Sequence, residues 1–483
     1  MADPRHRTAT AGALLATLLL SACSLAPAYS PPQLAAPLPA AFKETGAWTP
    51  AAPADAASHG AWWTVFGDAT LNDLEGRIDK DNPSLAAALA RYDQARTLVS
   101  QARAALLPEV DYDGDFVRNK QSSETRTPGT ADYYNENLVG GGITYEFDLW
   151  GRVRNTVKVQ KGQAQASAAD LAATRLSLQA QLASAYLSLR DMDADAAVLA
   201  EAVDAYQHAL DLTSARYRDG ATTEIDVDRA RTQLETARSQ QASTLASRAL
   251  YEHAIASLIG QPASSFSVPA DAAAFPAAPA IPVTAASELL QRRPDVAAAE
   301  RRTFAANAQI GVARAAFFPT IGLDAVGGFA TTHGNLLAAG ASYWTLGPSI
   351  FLPIFDAGKR RAQDKQAWAE FDEASANYKA VILTAFQQVE DGLAQCNRLA
   401  TASEAEVRAA DAAVRAQDIA QKQYKDGATT YLDVITAQTA ALDAKRLVVG
   451  LNGQRLQASV ALVRALGGGW TTAASTTTVA KAG

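Results

Sequence analysis

The chain has 483 residues, 43 of them Lys or Arg against 50 Asp or Glu, with a formal charge of −7 and a pI near 5.4. That balance leaves no basic stripe to displace counterions, which argues against nucleic acid as a partner. Only two cysteines occur, Cys23 and Cys396, so a disulfide scaffold is excluded.

Arg5, His6 and Arg7 precede a short apolar run from Ala11 to Leu20, followed by Ser21-Ala22-Cys23. The run is too short to span a bilayer as a helix, and residues 1–22 read as an export signal. Small residues just before Cys23 resemble the bacterial lipobox, whose cysteine is acylated and becomes the mature N-terminus. Cys23 is therefore the candidate lipidation site, and its covalent lipid is the only attached group expected. Ser24 stands where lipoproteins kept in the inner membrane typically carry Asp, which favours sorting to the outer membrane. Residues 23–60, rich in Ala and Pro, are expected to be a flexible tether. No other apolar run is long enough for a transmembrane helix, so any membrane crossing must use strands.

Two halves then repeat each other, residues 61–260 and 286–466, joined by a Pro/Ala-rich linker at 261–285 and followed by a tail at 467–483. Ala102-Arg103-Ala104-Ala105-Leu106-Leu107-Pro108 matches Ala313-Arg314-Ala315-Ala316-Phe317-Phe318-Pro319, at an offset of 211. Tyr217-Arg218-Asp219-Gly220-Ala221-Thr222-Thr223 matches Tyr424-Lys425-Asp426-Gly427-Ala428-Thr429-Thr430, at an offset of 207. Each half opens with a helix stopped by proline, at Pro108 or Pro319. A strand pair follows. Val110, Tyr112, Gly114 and Phe116 alternate with Asp111, Asp113 and Asp115; Ile143, Tyr145, Phe147 and Leu149 alternate with Thr144, Glu146 and Asp148. The second half has Ile321, Leu323, Ala325 and Phe329 on one parity, then a segment from Tyr343 to Leu352. One apolar and one acidic face at period two is the pattern of a barrel strand.

A proline-free stretch from Arg152 to Arg218 contains one glycine, Gly162; its counterpart from Lys359 to Asp426 contains only Gly392. Some 67 residues make a helix on the order of 100 Å long. Both stretches end at Asp-Gly-Ala-Thr-Thr, where Gly220 and Gly427 suit the left-handed position that closes a helix. Return helices are expected at about Glu224–Ile259 and Tyr431–Leu466, with Thr223 and Thr430 as their caps.

Four strands cannot close a barrel with a channel, and an open sheet edge is not tolerated in lipid. Several chains must therefore share one barrel, with apolar residues toward lipid and acids toward a wet lumen. Asp111-Tyr112-Asp113-Gly114-Asp115 is not a calcium loop of the EF-hand type, since the twelfth position is Ser122 rather than Glu. The five histidines, His6, His59, His208, His253 and His333, show no ligand spacing, and no catalytic motif is present. The chain is read as a non-enzyme.

The order and duplication of these features resemble the TolC/OprM-type outer-membrane efflux proteins, in their lipoprotein (NodT-like) branch. The resemblance rests on Cys23 with Pro27 and Tyr29, on Trp62-Trp63 with Phe66-Gly67-Asp68 and Leu71, and on the Phe147-Asp148-Leu149-Trp150-Gly151 corner. The shorter Phe355-Asp356-Ala357-Gly358 corner, both hairpin ends and Leu466-Gly467-Gly468-Gly469-Trp470 complete it. It implies a mainly α protein with a long helical barrel and a shared 12-stranded transmembrane β-barrel completed by trimerisation. It implies the outer-membrane exit of a tripartite pump, with a periplasmic adaptor and an inner-membrane transporter of the RND type as partners. Two other readings stay open: an exit duct for type I protein secretion, and a periplasmic adaptor lipoprotein, although adaptors have one hairpin and this chain has two.

The same resemblance places the periplasmic gate at the hairpin tips. Tyr424, Leu432 and Asp433 match positions near the family's constriction, and Asp226 is the first-half equivalent of Asp433. Thr436 and Thr429 stand where some members carry an acid and an arginine. Asp226 and Asp433 also fit simple helix-start electrostatics, as Arg216, Arg218 and Lys425 fit the negative end of a helix. Arg216, Tyr217, Gly220, Lys425 and Gly427 are the candidates for contact with an adaptor.

Overall fold

The computed structural model describes residues 24–34, 42–44, 61–126, 128–129, 131–279, 293–332 and 335–468. Cys23 and Trp470 lie outside them, as do the end of the expected linker and the tail beyond Gly468. Among the described residues the α-helices are α1 (Ala69–Asp81), α2 (Pro83–Ala104), α3 (Arg152–Arg218), α4 (Glu224–Leu258), α5 (Pro294–Ala315), α6 (Lys359–Lys425) and α7 (Tyr431–Ala465). The strands are β1 (Glu109–Lys120), β2 (Tyr133–Glu146), β3 (Thr320–Thr331) and β4 (Ser342–Phe351). Both long helices run for 67 residues and both return helices for 35. Among the described residues no helix is long and apolar enough to cross a membrane.

The chain divides into two compact units. One gathers Arg91–Ala168, Ala298–Lys379 and the N-terminal segment to Gln33. It holds a four-stranded antiparallel sheet in the order β1-β2-β3-β4. Val110, Ile143, Ala325 and Leu346 stand side by side across all four strands. Glu109, Thr144, Asp324 and Gly347 form the neighbouring row, on the opposite face. Continued along the strands, this register puts every acid of the sheet on one face: Glu109, Asp111, Asp113 and Asp115 from β1, Glu136 and Glu146 from β2, and Asp324 from β3. The other face carries most of the large apolar side chains, Val110, Tyr112, Phe116, Ile143, Leu323, Leu346 and Ile350 among them, and, at one end, Arg118 and Lys120, each under 6 Å from the centre of the Tyr133 ring. The ladder ends at Glu146, so Phe147 and Leu149 belong to the corner rather than the strand. Even so, the Phe147 N–H still donates to the Ile321 carbonyl at 2.9 Å.

The corners explain where the long helices start. Asp148 accepts hydrogen bonds from the backbone N–H groups of Val153 and Arg154, and Asp356 accepts from those of Gly358 and Arg360. Each carboxylate thus satisfies first-turn donors that the helix leaves open. Trp150 stacks on Phe318 at 4.7 Å and donates to the Pro319 carbonyl at 2.8 Å. Gly162 is the point where α3 and α5 touch: a Cβ there would sit 3.0 Å from the Ala305 Cβ and 3.1 Å from the Arg301 carbonyl.

The first part of the expected tether is seated rather than free. Residues 24–33 lie along α5 and the start of α3. Ser24 Oγ donates to Asn155 Oδ1 at 3.0 Å, Asn307 Nδ2 to the Pro27 carbonyl at 2.9 Å, and Tyr29 Oη to Glu300 Oε1 at 2.7 Å. Ala26 occupies the notch left by Gly311, where a Cβ would clash at 2.7 Å. Composition alone missed this because the holding groups lie on distant helices.

The second unit comprises Leu34–Ala90, Ala169–Ala297 and Ala380–Gly483. Here Gly392 admits Leu462, whose Cβ and Cδ1 would stand 3.2 Å from an added Cβ. Asp193, buried on α3, accepts from Arg190 at 2.9 Å and Arg248 at 2.6 Å. The same two arginines donate to the Pro269 and Val268 carbonyls, so the first part of the expected linker is pinned down. Asp195 holds Arg446 of α7 by two bonds, at 2.7 and 3.0 Å, and accepts from Thr244 of α4. Cys396, expected to be buried, is half-buried.

Candidate functional site: the hairpin tips

Both long helices end in the same way. Gly220, at φ 71°, donates to the Tyr217 carbonyl, while Ala221 reaches back to that of Arg216; Gly427, at φ 73°, and Ala428 repeat this with Tyr424 and Gln423. Only glycine takes that backbone without strain, and the paired bonds are those of a Schellman ending. Asp433 then opens α7 with a capping box: its N–H donates to Thr430 Oγ1, and its carboxylate accepts from the Thr430 N–H. The Thr429 and Thr430 hydroxyls each donate to the same carboxylate oxygen at 2.7 Å. These hydroxyls hold the Asp433 carboxyl below the usual range, Thr430 foremost.

Asp226 differs in detail. Burial by itself would raise its pKa, but donation from Thr222 and Thr223 and the charge of Arg229 bring it below normal. Thr223 does not cap α4 as expected. Its hydroxyl donates to Asp226 at 3.0 Å but, unlike that of Thr430, accepts no backbone N–H of the helix.

The two hairpins meet at Tyr424. Its ring is buried with Ala230, Tyr431 and Val434 and lies 5.3 Å from that of Tyr431. Arg216, from the end of α3, places its guanidinium 4.6 Å from the Tyr424 ring centre and donates to the Tyr424 carbonyl at 2.9 Å. Further from the tip, Tyr206 Oη donates to the Gln438 carbonyl at 3.4 Å and Gln233 to Thr439 Oγ1 at 3.0 Å. Behind Tyr424 lies a cavity of about 220 Å³, lined by Leu212, Thr213, Tyr431, Val434 and Gln438 among others. Tyr424 Oη and Gln438 Oε1 are buried without a partner.

Of the residues singled out in the sequence, Arg216, Tyr424 and Asp433 therefore take part in defined contacts at the tips, as does Asp226. Tyr217, Leu432, Lys425, Gly220 and Gly427 lie exposed on the surface there. Tyr431 and Gln438 were not singled out. The signal for Tyr431 was the break in the repeat, since Glu224 stands at its first-half position.

The outer membrane efflux protein family model matches residues 76–261 and 285–468, one match for each half. The chain belongs to that family. Outer membrane efflux proteins similar to it include the toluene efflux pump outer membrane protein TtgC of Pseudomonas putida, 32% identical over 94% of both chains. The pyoverdine export outer membrane protein OpmQ of Pseudomonas aeruginosa is 33% identical over 94% of this chain and 96% of its own. Among solved structures, the outer-membrane channel OprN superposes with a TM-score of 0.84 at 29% identity, over 93% of this chain and all of that one. The chain is thus an outer-membrane efflux channel subunit. Its sheet, which cannot close alone, is the one a shared barrel requires.

Proposed function

We propose that three copies build a 12-stranded barrel in the outer membrane and a helical tube reaching into the periplasm. The assembly is a passive duct. It takes cargo from a periplasmic adaptor and an inner-membrane transporter of the RND type, which supplies the energy. The observation that carries this reading is the four-stranded sheet, with both outer edges unpaired and its acids segregated to one face. Hydrocarbon does not tolerate such edges, and an acidic face needs water.

The chain acts through a path rather than a reaction. The relatives named for toluene efflux and for pyoverdine export both align with 94% of this chain although the compounds in their names differ, which supports a selectivity that rests mainly with the transporter. Cys23 carries the lipid, and the seated segment 24–33 holds that anchor beside the sheet-bearing unit. The tips form the periplasmic gate, with Tyr424, Asp433, Asp226 and Leu432 at the constriction. Arg216, Tyr217, Gly220, Lys425 and Gly427 offer the surface that an adaptor grips.

The test is direct. Purified protein reconstituted in planar bilayers is expected to form water-filled pores, and deletion of the gene is expected to sensitise cells to a set of dyes, detergents or antibiotics. A strictly monomeric, non-conducting protein defeats the proposal.

A further inference from the structure

The outer strands β1 and β4 each leave one edge open, and the internal repeat dictates how those edges meet. β1 and β3 are equivalent at an offset of 211, as Pro108 and Pro319 are. Glu109 faces Thr144 in the first hairpin and Thr320 faces Phe351 in the second, which makes β2 and β4 equivalent at an offset of 207. The junction between one repeat and the next is visible within the chain. There β2 pairs with β3, Gly142 stands opposite Val326, and the Phe147 N–H donates to Ile321.

Carrying that junction through the two offsets gives the seam between copies. We propose that β4 of one copy pairs antiparallel with β1 of the next, Ser349 opposite Asp115 and Phe351 opposite Asp113, with the Ile354 N–H donating to the Val110 carbonyl. The inference rests on the reading that several copies share one barrel, and it fixes which residues meet.

Three features support this register. It continues both faces: Ile350 meets Gly114 and Leu352 meets Tyr112 on the apolar side, while Ser349 and Asp115 stay on the acidic one. It also accounts for uneven exposure at the corners. Phe147, whose partner repeat lies in the same chain, is 40% exposed; its equivalent Ile354 is 94% exposed and Phe355 88%. Leu107, equivalent to the stacked Phe318, is 69% exposed. These are the side chains the seam would cover. Finally, the seam sets Trp344 opposite Lys120, which already lies over Tyr133.

Cysteine pairs test it. Phe147 and Ile321 form a hydrogen-bonded pair, so the lumen-facing pairs of this junction are of the closer, non-bonded kind. Their Cα atoms stand about 4.5 Å apart, within disulfide range. In a Cys396→Ser background, Ser349→Cys combined with Asp115→Cys, and Phe351→Cys combined with Asp113→Cys, are oxidised in detergent. Both pairs are expected to give covalent multimers that reductant dissolves. Ser349→Cys combined with Asp113→Cys or Val117→Cys is shifted by two, to about 7–8 Å, and is expected not to link. Single-cysteine variants, sedimenting as the wild type, serve as the folding control. Preferential linking of a shifted pair overturns the register and leaves the shared barrel standing. No linking in a protein that sediments as a multimer overturns the seam. No linking in a monomer overturns the shared barrel itself.

Discussion

Arg216 lies across the ring of Tyr424 and donates to its carbonyl, and this contact joins the two hairpins of one chain at their tips. The repeat-related pair is Gln423 and Tyr217, which lacks the cation, and Tyr217 is exposed. In the proposed trimer the junctions between hairpins therefore alternate: one inside each chain is latched by charge, and one between chains is not.

Removing this contact should loosen the proposed gate. A cation–π contact contributes ~0.5–2 kcal/mol and a charged hydrogen bond ~1.5–3 kcal/mol. Arg216 is only half-buried, so a combined ~2 kcal/mol, or roughly thirtyfold in the closed-to-open ratio, is the expected scale. Arg216→Ala should raise the open fraction in planar bilayers by about that factor. Tyr424→Phe keeps the ring and the carbonyl, and Tyr424 Oη has no partner. Its conductance should stay close to wild type; equal opening in both variants would show that the ring face is not the latch.

The tip carboxylates predict an acid edge with a definite sign. Asp433 and Asp226 both titrate below normal in the folded chain, so their contribution is complete above the unfolded value of about 3.9 and is lost as pH falls through the folded one. Tip rigidity, read by proteolysis within 426–430, should be flat from about pH 5 to 8 and fall only in stronger acid. Thr430→Val removes both the cap and the leading donor to Asp433. It should move the edge upward, toward that unfolded value, and increase cleavage at neutral pH.

The sequence carried most of this architecture because the repeat supplied two readings of the strand pairs and of the hairpin helices. Arg152, Arg218 and Lys359 bound the long helices in sequence and structure alike, since proline and glycine mark those limits. The tips were less legible. Arg216 reads as an ordinary helix-end cation until Tyr424, 208 positions away, is brought beneath it. The seated segment 24–33 was hidden for the same reason, because a notch at Gly311 has no signature in local composition.

Glu75 supplies a pH dependence of opposite sign. It is fully buried on α1, neither oxygen has a partner, and burial, aided by the charge of Asp79, pushes its carboxyl up to about 9. Arg175 pairs with Asp79 rather than with Glu75. The folded state therefore keeps a proton that the unfolded chain releases near pH 4.3, and stability falls as pH rises from about 4.3 to the folded value, by up to ~1.4 kcal/mol per unit. Glu75→Gln should raise the thermal midpoint at pH 7.5 and flatten its pH dependence over that window. An unchanged slope would mean that Glu75 ionises without cost.

The segregated acids of the sheet should set the charge preference of the pore. On the acidic face Glu146 is paired with Arg152 from the corner, but that face of the strands themselves carries no Lys or Arg. Charges lining a narrow wet path raise the local concentration of counter-ions and exclude ions of like sign. The wild-type pore should therefore favour cations over anions, measured as a reversal potential across a salt gradient. The preference should weaken at high salt, because the Debye length shrinks from about 10 Å at 0.1 M to about 3 Å at 1 M. Replacing Asp111, Asp113 and Asp115 together by Asn should reduce it while leaving conductance largely intact, since the strand register rests on backbone bonds. If the triple variant kept the full cation preference, the discriminating charges would lie at the tips, and the same measurement on Asp433→Asn would then locate them.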